Sequence, residues 1–376
     1  MKYMKIIIFL FYFLIILIIY SKSVFAFRSE TIFFKDKNDF NLGEFENTII
    51  SPDFSESIKL NPEYKEGSFL SPAAEPSFPF NEAVISWNIK TYKDTFLEFY
   101  IRTQSKNKWS NWFFAGRWMN NKDKKNKSCI LKINSANYNI KNEIGFIDID
   151  TLRLFKPAEK IQVKVLFHSN KENLSAYVKM LSISVSSNES KSKKNKRTSS
   201  NNLIKPILLN VPFMSQGWEK DDISGSICGP TSITMIMKYY NINISLRDTS
   251  DYCYDIKNNL YGNWSFEVAC ASEYGIYGYV TRLNSLFDIY KELIKGHPVI
   301  TSIEYNKGEL TGSPKDFSEG HLLVVKGFDN SGNVIVNDPA FMHEKDGYRT
   351  YKQKEFEHIW QKAGGYVLLL FKSKLE

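Results

Sequence analysis

Between residues 81 and 187 apolar and polar positions run in short, strand-like stretches. "AVISWNI", "TFLEFYIRTQ" and "WSNWFFAGRW" are rich in aromatic and β-branched residues, and turn-like breaks such as "SKNK" separate them. "EIGFIDIDTLRLF", "KIQVKVLFHS" and "YVKMLSISVSS" follow. In the second of these Ile161, Val163, Val165 and Phe167 alternate with Gln162, Lys164, Leu166 and His168, the period of a half-buried strand. Six to eight strands and no good helix predict an all-β sandwich over 81–187. Residues 27–80 lack sustained periodicity and read as an extended lead-in, with a strand or two.

The pattern changes past residue 205. Over 229–240, Ile233, Ile236, Met237 and Tyr240 form one helical stripe. Residues 265–274 and 284–295 are further helical candidates. "PVITSIEY", "HLLVVKGFD", "NVIVNDP" and "GYVLLLFK" read as strands. A helix first and strands later predict an α+β domain over 206–376. The whole is thus a multidomain chain, its two parts joined by a basic, Ser/Lys-rich linker at 188–205.

The N-terminus adds a location. Lys2 and Lys5 precede an unbroken apolar run from Ile6 to Tyr20, and Val24-Phe25-Ala26 offers a small residue at a cleavage boundary. Residues 1–26 therefore read as a signal peptide, the run being short for a membrane span of roughly 20 residues. An uncleaved anchor is the competing reading. Either way the rest of the chain is expected to be secreted or at the cell surface.

Charge then narrows the partners. The net charge of +8 lies mostly in the segment before Phe27 and in "NESKSKKNKRTSS"; the remainder carries about +1. No basic face is implied, so nucleic acid is not an expected partner, and no integral membrane partner is predicted. The linker suits a solvated spacer or contact with an anionic cell wall. Four cysteines (Cys129, Cys228, Cys253 and Cys270) are too few for a disulfide scaffold. Cys253 and Cys270 are either one bridge or two buried thiols. Five scattered histidines give no zinc spacing, and no metal or cofactor is expected.

"SICGPTSITMIMKYY" carries the chemistry. Cys228 stands where a helix begins, and partial positive charge at a helix N-terminus lowers a thiol pKa. Gly229 permits close approach, and Pro230 suits a first helical turn. His321, after a glycine at the start of an apolar strand, is a candidate general base. Asp338 ends the next strand. The turn "DNSG" makes the two strands neighbours, so Asp338 can orient the imidazole, with Asn337 a lesser candidate. Gln216 is a candidate donor to an oxyanion. Each residue alone has a plainer reading: a buried thiol, an edge histidine, an Asp-Pro turn, a surface glutamine. Their order is more specific than any one of them. His297 precedes a strand and reads as structural, and His168, His343 and His358 lie away from the constellation. Trp264 is a candidate for the substrate groove or the core. Trp87, Trp109, Trp112 and Trp118 read as sandwich core, with sugar stacking the alternative.

Residues 207–371 resemble the secreted bacterial C39-like cysteine peptidases. The resemblance rests on "VPFMSQ", "CGPTSITMIMKYY", "GNWSFEVACASEYGIYGYVTRL", "GHPVITSIEYNKGEL", "GHLLVVKGFDNSGNVIVNDPA" and "YRTYKQKEFEHIW", in that order. It implies a papain-like fold, Cys228 as nucleophile, His321 as base, Asp338 as orienting residue and Gln216 as oxyanion donor, acting on a peptide or protein substrate. "SWNIKTYKDTFLEFYIRT" and "WSNWFFAGRW" resemble the β-rich region found upstream in such proteins. Two rival expectations stand beside the peptidase. One is amide hydrolysis or acyl transfer in peptidoglycan by the same chemistry. The other is a non-catalytic cell-wall-binding protein.

Overall fold

The computed structural model describes residues 27–120, 140–188, 204–219 and 223–373. The expected signal peptide, most of the linker and Cys129 lie outside these residues. Among the described residues no helix is long and apolar enough to cross a membrane.

The N-terminal module contains β1 (Arg28–Phe34), β2 (Glu44–Glu46), β3 (Thr48–Ser51), β4 (Ser57–Leu60), β5 (Glu66–Leu70), β6 (Phe80–Lys90) and β7 (Thr95–Ser105). It continues with β8 (Lys108–Trp109), β9 (Phe113–Met119), β10 (Gly145–Asp148), β11 (Thr151–Ala158), β12 (Lys160–Ser169) and β13 (Tyr177–Ser187). They form two sheets. The first has the order β10-β11-β6-β13-β4-β3, with β1 also on β13; the second has β2-β5-β12-β7-β8, with β9 also on β7. All pairings are antiparallel. One apolar core lies between them. Ile85, Trp87 and Ile89 of β6 and Leu181, Ile183 and Val185 of β13 meet Leu97, Phe99 and Ile101 of β7 and Val163, Val165 and Phe167 of β12. Trp87 stacks flat on Phe99, 4.1 Å between ring centres. Trp87 and Trp118 are fully buried, whereas Trp109 and Trp112 are half-buried and hold Arg102 between them at 4.5 and 4.6 Å.

Residues 27–80 are not a lead-in. They supply five strands to the two sheets, and Phe40, Ile58, Leu60 and Phe69 are buried in the shared core. These strands are three to seven residues long. So short a run does not sustain a period-2 signal, and the sheet rather than local propensity decides its state.

The C-terminal module begins with β14 (Ile207–Leu208) and helix α1 (Cys228–Tyr239), then α2 (Leu246–Cys253), α3 (Trp264–Glu273), β15 (Tyr277–Arg282) and α4 (Leu286–Ile294). It continues with β16 (Val299–Tyr305), β17 (Ser318–Phe328), β18 (Val334–Asn337), β19 (Tyr348–Tyr351), α5 (Gln353–Lys362) and β20 (Tyr366–Phe371). The strands make one antiparallel sheet, β15-β20-β16-β17-β18-β19, with β14 also on β17. Core residues of α1 and α3 pack on one set of its side chains. Those of α4 and α5 pack on the alternate set, so helices flank both faces.

The two modules are fused along a polar face. Leu181, Ile183 and Val185 of β13 point into the core, so Ser182, Ser184 and Ser186 point the other way. On β6 the same face carries Ser86 and Asn88. These residues meet β15, an edge strand of the C-terminal sheet. Asn88 donates to the Gly278 carbonyl at 2.8 Å and accepts from the Gly278 N–H at 2.7 Å. Ser86 accepts from the Val280 N–H at 3.0 Å, and Ser184 donates to the Val280 carbonyl. Side chains thus satisfy a backbone edge that would otherwise stand open. Helix α3 is clasped by the same sheet: Ser265 donates to the Ile85 carbonyl at 2.7 Å, and Lys179 donates to the Ser272 carbonyl at 2.6 Å. Arg282 at the end of β15 reaches Glu82 at 2.9 Å.

Replacing Asn88 by Ala leaves both backbone groups of Gly278 buried without partners. We expect a loss of about 2–4 kcal/mol, from roughly 1–3 kcal/mol per orphaned group with partial relaxation. The urea-unfolding midpoint measures it, and an unchanged midpoint would mean that the edge is not held by this residue.

Candidate active site

Helix α1 starts at Cys228 with no side-chain cap; Ile227 occupies the capping position. The first-turn N–H groups are therefore not taken by a cap. Residues Gly229 to Met237 are buried, and Ser232 donates to the Leu322 carbonyl at 3.3 Å, seating the helix on β17. Gly229 is required sterically. A β-carbon there would lie 1.6 Å from Oε1 of Glu267, which comes up from α3 beneath the turn.

β17 and β18 form the expected hairpin. Val324 pairs with Asn337, which brings His321 before it and Asp338 after it together. Nε2 of His321 lies 2.8 Å from Oδ1 of Asp338. The imidazole's other nitrogen is left for the Cys228 sulfur, and the two groups stand near enough to shift each other's pKa. Cys228 is half-buried, His321 is 9% exposed and Asp338 is fully enclosed.

Asp338 is held by three donors. Besides His321, the Ala340 N–H donates to Oδ1 at 3.0 Å and the Tyr351 hydroxyl donates to Oδ2 at 2.8 Å. Burial alone raises a carboxyl pKa; the His321 charge and these hydrogen bonds overcome it and hold Asp338 below its usual range. The same opposition acts on the other two groups. Burial works against the imidazolium, but the Asp338 carboxylate and the Cys228 sulfur push His321 up to about 10. Burial works against the thiolate, but His321 and the N–H groups of Leu322 and Gly229 bring Cys228 below an ordinary thiol. Both directions favour a thiolate–imidazolium pair.

Asn337 does not orient the histidine. Strand alternation turns it away, and its amide donates to the Val211 and Pro212 carbonyls at 3.0 and 3.1 Å. That bond ties the end of β18 to the segment leading to Gln216. The Gln216 N–H donates to the Pro339 carbonyl at 2.9 Å, so Gln216 stands beside the residue that follows Asp338. Its side-chain amide donates to the Ser224 carbonyl at 2.8 Å, and its Oε1 is buried without a partner.

Trp264 opens α3. Its N–H donates to Oδ2 of Asp150, from the turn between β10 and β11, at 2.7 Å. Its ring lies 4.7 Å from that of Tyr366. Val367, beside Tyr366, pairs with Thr301, which pairs with Leu323, so Trp264 stands at the same end of the sheet as His321. His297 bonds to Glu292 at 3.2 Å, away from this cluster. Cys253 and Cys270 are both buried and form no bridge with one another.

Sequence reading missed three residues here. Tyr351 closes a strand, "YRTY", that carries no chemical signature. Asp150 sits in the other module. Glu267 sits in the first turn of α3, in "SFEVA", where an acid ordinarily faces solvent and complements the helix dipole.

The Tyr351→Phe variant removes one of the three donors to Asp338. We expect a loss of about 1.5–3 kcal/mol at neutral pH, as for a hydrogen bond to a charged group. The folded pKa of Asp338 is depressed, so this stability is present above its unfolded value near 4 and is lost as pH falls through the folded value. Wild-type and variant unfolding curves should therefore converge in acid; a gap that is constant with pH would mean that Tyr351 acts by packing alone.

Two family models match the chain. Residues 208–368 match the Peptidase_C39 like family, and residues 34–186 match the Peptidase C39 N-terminal domain. No curated protein matches. Among solved structures the chain is similar to a putative C39-like peptidase from Bacillus anthracis, at 18% identity and a TM-score of 0.35, over 46% of this chain and 100% of that one. It is similar to a double glycine motif protease from an AMS/PCAT transporter in complex with the leader peptide, at 19% identity and a TM-score of 0.29, over 45% of this chain and 99% of that one. A carbohydrate-binding module of the beta-sandwich superfamily aligns at 13% identity and a TM-score of 0.17, over 42% of this chain and 56% of that one.

Proposed function

We propose, from the premise that this chain belongs to the C39-like peptidase family, that it is a secreted cysteine peptidase with a papain-like catalytic domain and an N-terminal β-sandwich. The observation that carries the reading is a buried His321–Asp338 hydrogen bond whose imidazole stands by Cys228 at the start of a helix, near enough for the two groups to shift each other's pKa.

The Cys228 thiolate attacks the carbonyl carbon of a peptide bond. The carbonyl oxygen takes up negative charge. A side-chain amide has two N–H bonds, and Gln216 uses one on Ser224, which leaves the other for that oxygen. The His321 imidazolium gives its proton to the leaving amine, and the C–N bond breaks. A thioester on Cys228 remains. Neutral His321 then takes a proton from water, whose oxygen attacks the thioester and returns the sulfur as thiolate. Asp338 keeps the ring oriented throughout and stabilises its charged form. Trp264 is placed to line the groove on the side where the N-terminal module meets the site.

Iodoacetamide labelling of Cys228, located by peptide mass, tests the ion pair. Wild type should label fast at pH 6. The His321→Ala form should be slower by about a hundredfold, because an unassisted thiol is then almost wholly protonated. A wild-type profile that follows an ordinary thiol, unaltered in His321→Ala, would overturn the reading. Cleavage of a peptide library that is absent in Cys228→Ala would establish the substrate class. Release of cell-wall fragments without peptide cleavage would point to an amidase instead.

A further inference from the structure

Two large apolar side chains stand open beside the candidate site. Trp218 is 49% exposed and Met342 51%. They form one surface. The Trp218 indole N–H donates to the Met342 carbonyl at 3.0 Å, and the end of the Met342 side chain covers Gly217, where a β-carbon would lie 2.9 Å from its methyl. Beneath them Phe213 is buried and meets Trp218 edge-on, with 5.9 Å between ring centres, and Tyr348 in the same way at 6.0 Å. Phe213 is seated in turn on Gly347, where a β-carbon would lie 1.9 Å from its ring. The indole uses its single donor on Met342, so the ring is fixed before any ligand arrives. Single exposed apolar residues are ordinary, but a contiguous pair on a packed base marks a contact surface.

Its place decides what it contacts. Trp218 closes the short helical turn Gln216–Trp218, which begins at the candidate oxyanion donor. Met342 lies in the turn that leaves Asp338, and the Gln216 N–H donates to the Pro339 carbonyl of that turn at 2.9 Å. The strand order gives the direction. Along β20-β16-β17-β18-β19, Trp264 lies against Tyr366 of β20, His321 stands on β17, and Phe213 with Trp218 lies against Tyr348 of β19. The two tryptophans therefore stand on opposite sides of His321. Asp338, which follows β18, binds the imidazole nitrogen that faces away from Cys228, so the line from sulfur to imidazole to carboxylate runs toward the Trp218 side.

The imidazole hands its proton to the leaving amine, so the chain that begins at that amine departs over the His321–Asp338 side. We propose that Trp218 and Met342 form the subsite for the first residue after the cleaved bond, and that this subsite takes a large apolar side chain. The inference rests on the peptidase reading. Met342 is unbranched and polarisable, which suits it to more than one apolar shape, such as Leu, Met or Phe. A charged side chain would lose water there without gaining a partner from either residue.

The test uses the full chain as wild type, Trp218→Ala, Met342→Ser and Cys228→Ala. Each is incubated with a proteome-derived peptide library, and both ends of every product are read by mass spectrometry. Products that depend on Cys228 should begin with a large apolar residue. One cleaved peptide is then made in two forms that differ only in Leu or Ser after the bond. Wild type should favour Leu by about ten- to a hundredfold in kcat/KM, as a filled apolar pocket allows. Trp218→Ala should bring that ratio down toward one. A ratio within one protein cancels any general loss of active material, and Met342→Ser reads the same subsite from its other wall should the Ala form not fold. A wild-type ratio near one, or a ratio that both substitutions leave unchanged, would overturn the proposal while Cys228-dependent cleavage kept the peptidase reading. No Cys228-dependent cleavage at all would overturn the peptidase reading, and this proposal with it.

Discussion

A carboxylate with no access to water organises the candidate active site of this protein. Asp338 keeps its charge only because three donors converge on it from three directions: a histidine on the preceding strand, a backbone N–H just downstream and a tyrosine on the strand beyond. Each donor requires a particular register. His321 needs the β17–β18 hairpin, Ala340 needs the turn after Pro339, and Tyr351 needs β19 aligned on β18. The charge so held carries its effect outward. It makes the imidazolium favourable, and the imidazolium makes the thiolate favourable. Remote strand pairing thereby reaches the sulfur through one hydrogen bond and the charge it sustains.

Helix α3 is where the two modules become one structure. One of its faces, with Phe266, Ala269 and Cys270, belongs to the core of the N-terminal sheets, and Val268 and Ala271 belong to the core under α1. It carries Trp264 at one end and Glu267 a turn later. A helix so placed cannot shift without disturbing both cores. The wall behind Cys228 is thus built partly from a helix that carries none of Cys228, His321 and Asp338.

Much of the candidate site was legible in the sequence. The stripe of α1, the strands of the hairpin and the pairing of His321 with Asp338 follow from local periodicity and one tight turn, which are short-range properties. The short strands before residue 80 were not legible, since runs of three to seven residues carry no reliable period. The serine face of β13 gave no hint of what covers it, for a physical reason. Alternation says which residues turn away from the core, but not whether they meet water or another backbone. Tyr351, Asp150 and Glu267 were invisible because each takes its meaning from a partner far away in the chain.

The polar character of that serine face has a consequence for biosynthesis. Emerging from the ribosome first, the N-terminal module presents Ser86, Asn88, Ser182, Ser184 and Ser186 toward the place of β15, and these hydrate readily while they wait, beside the smaller apolar site that Phe266 later fills. The later sheet then forms with its edge strand already provided with hydrogen-bonding partners, so an adhesive edge need never face solvent. The order of the two modules along the chain is, in this sense, a chaperoning arrangement written into the gene.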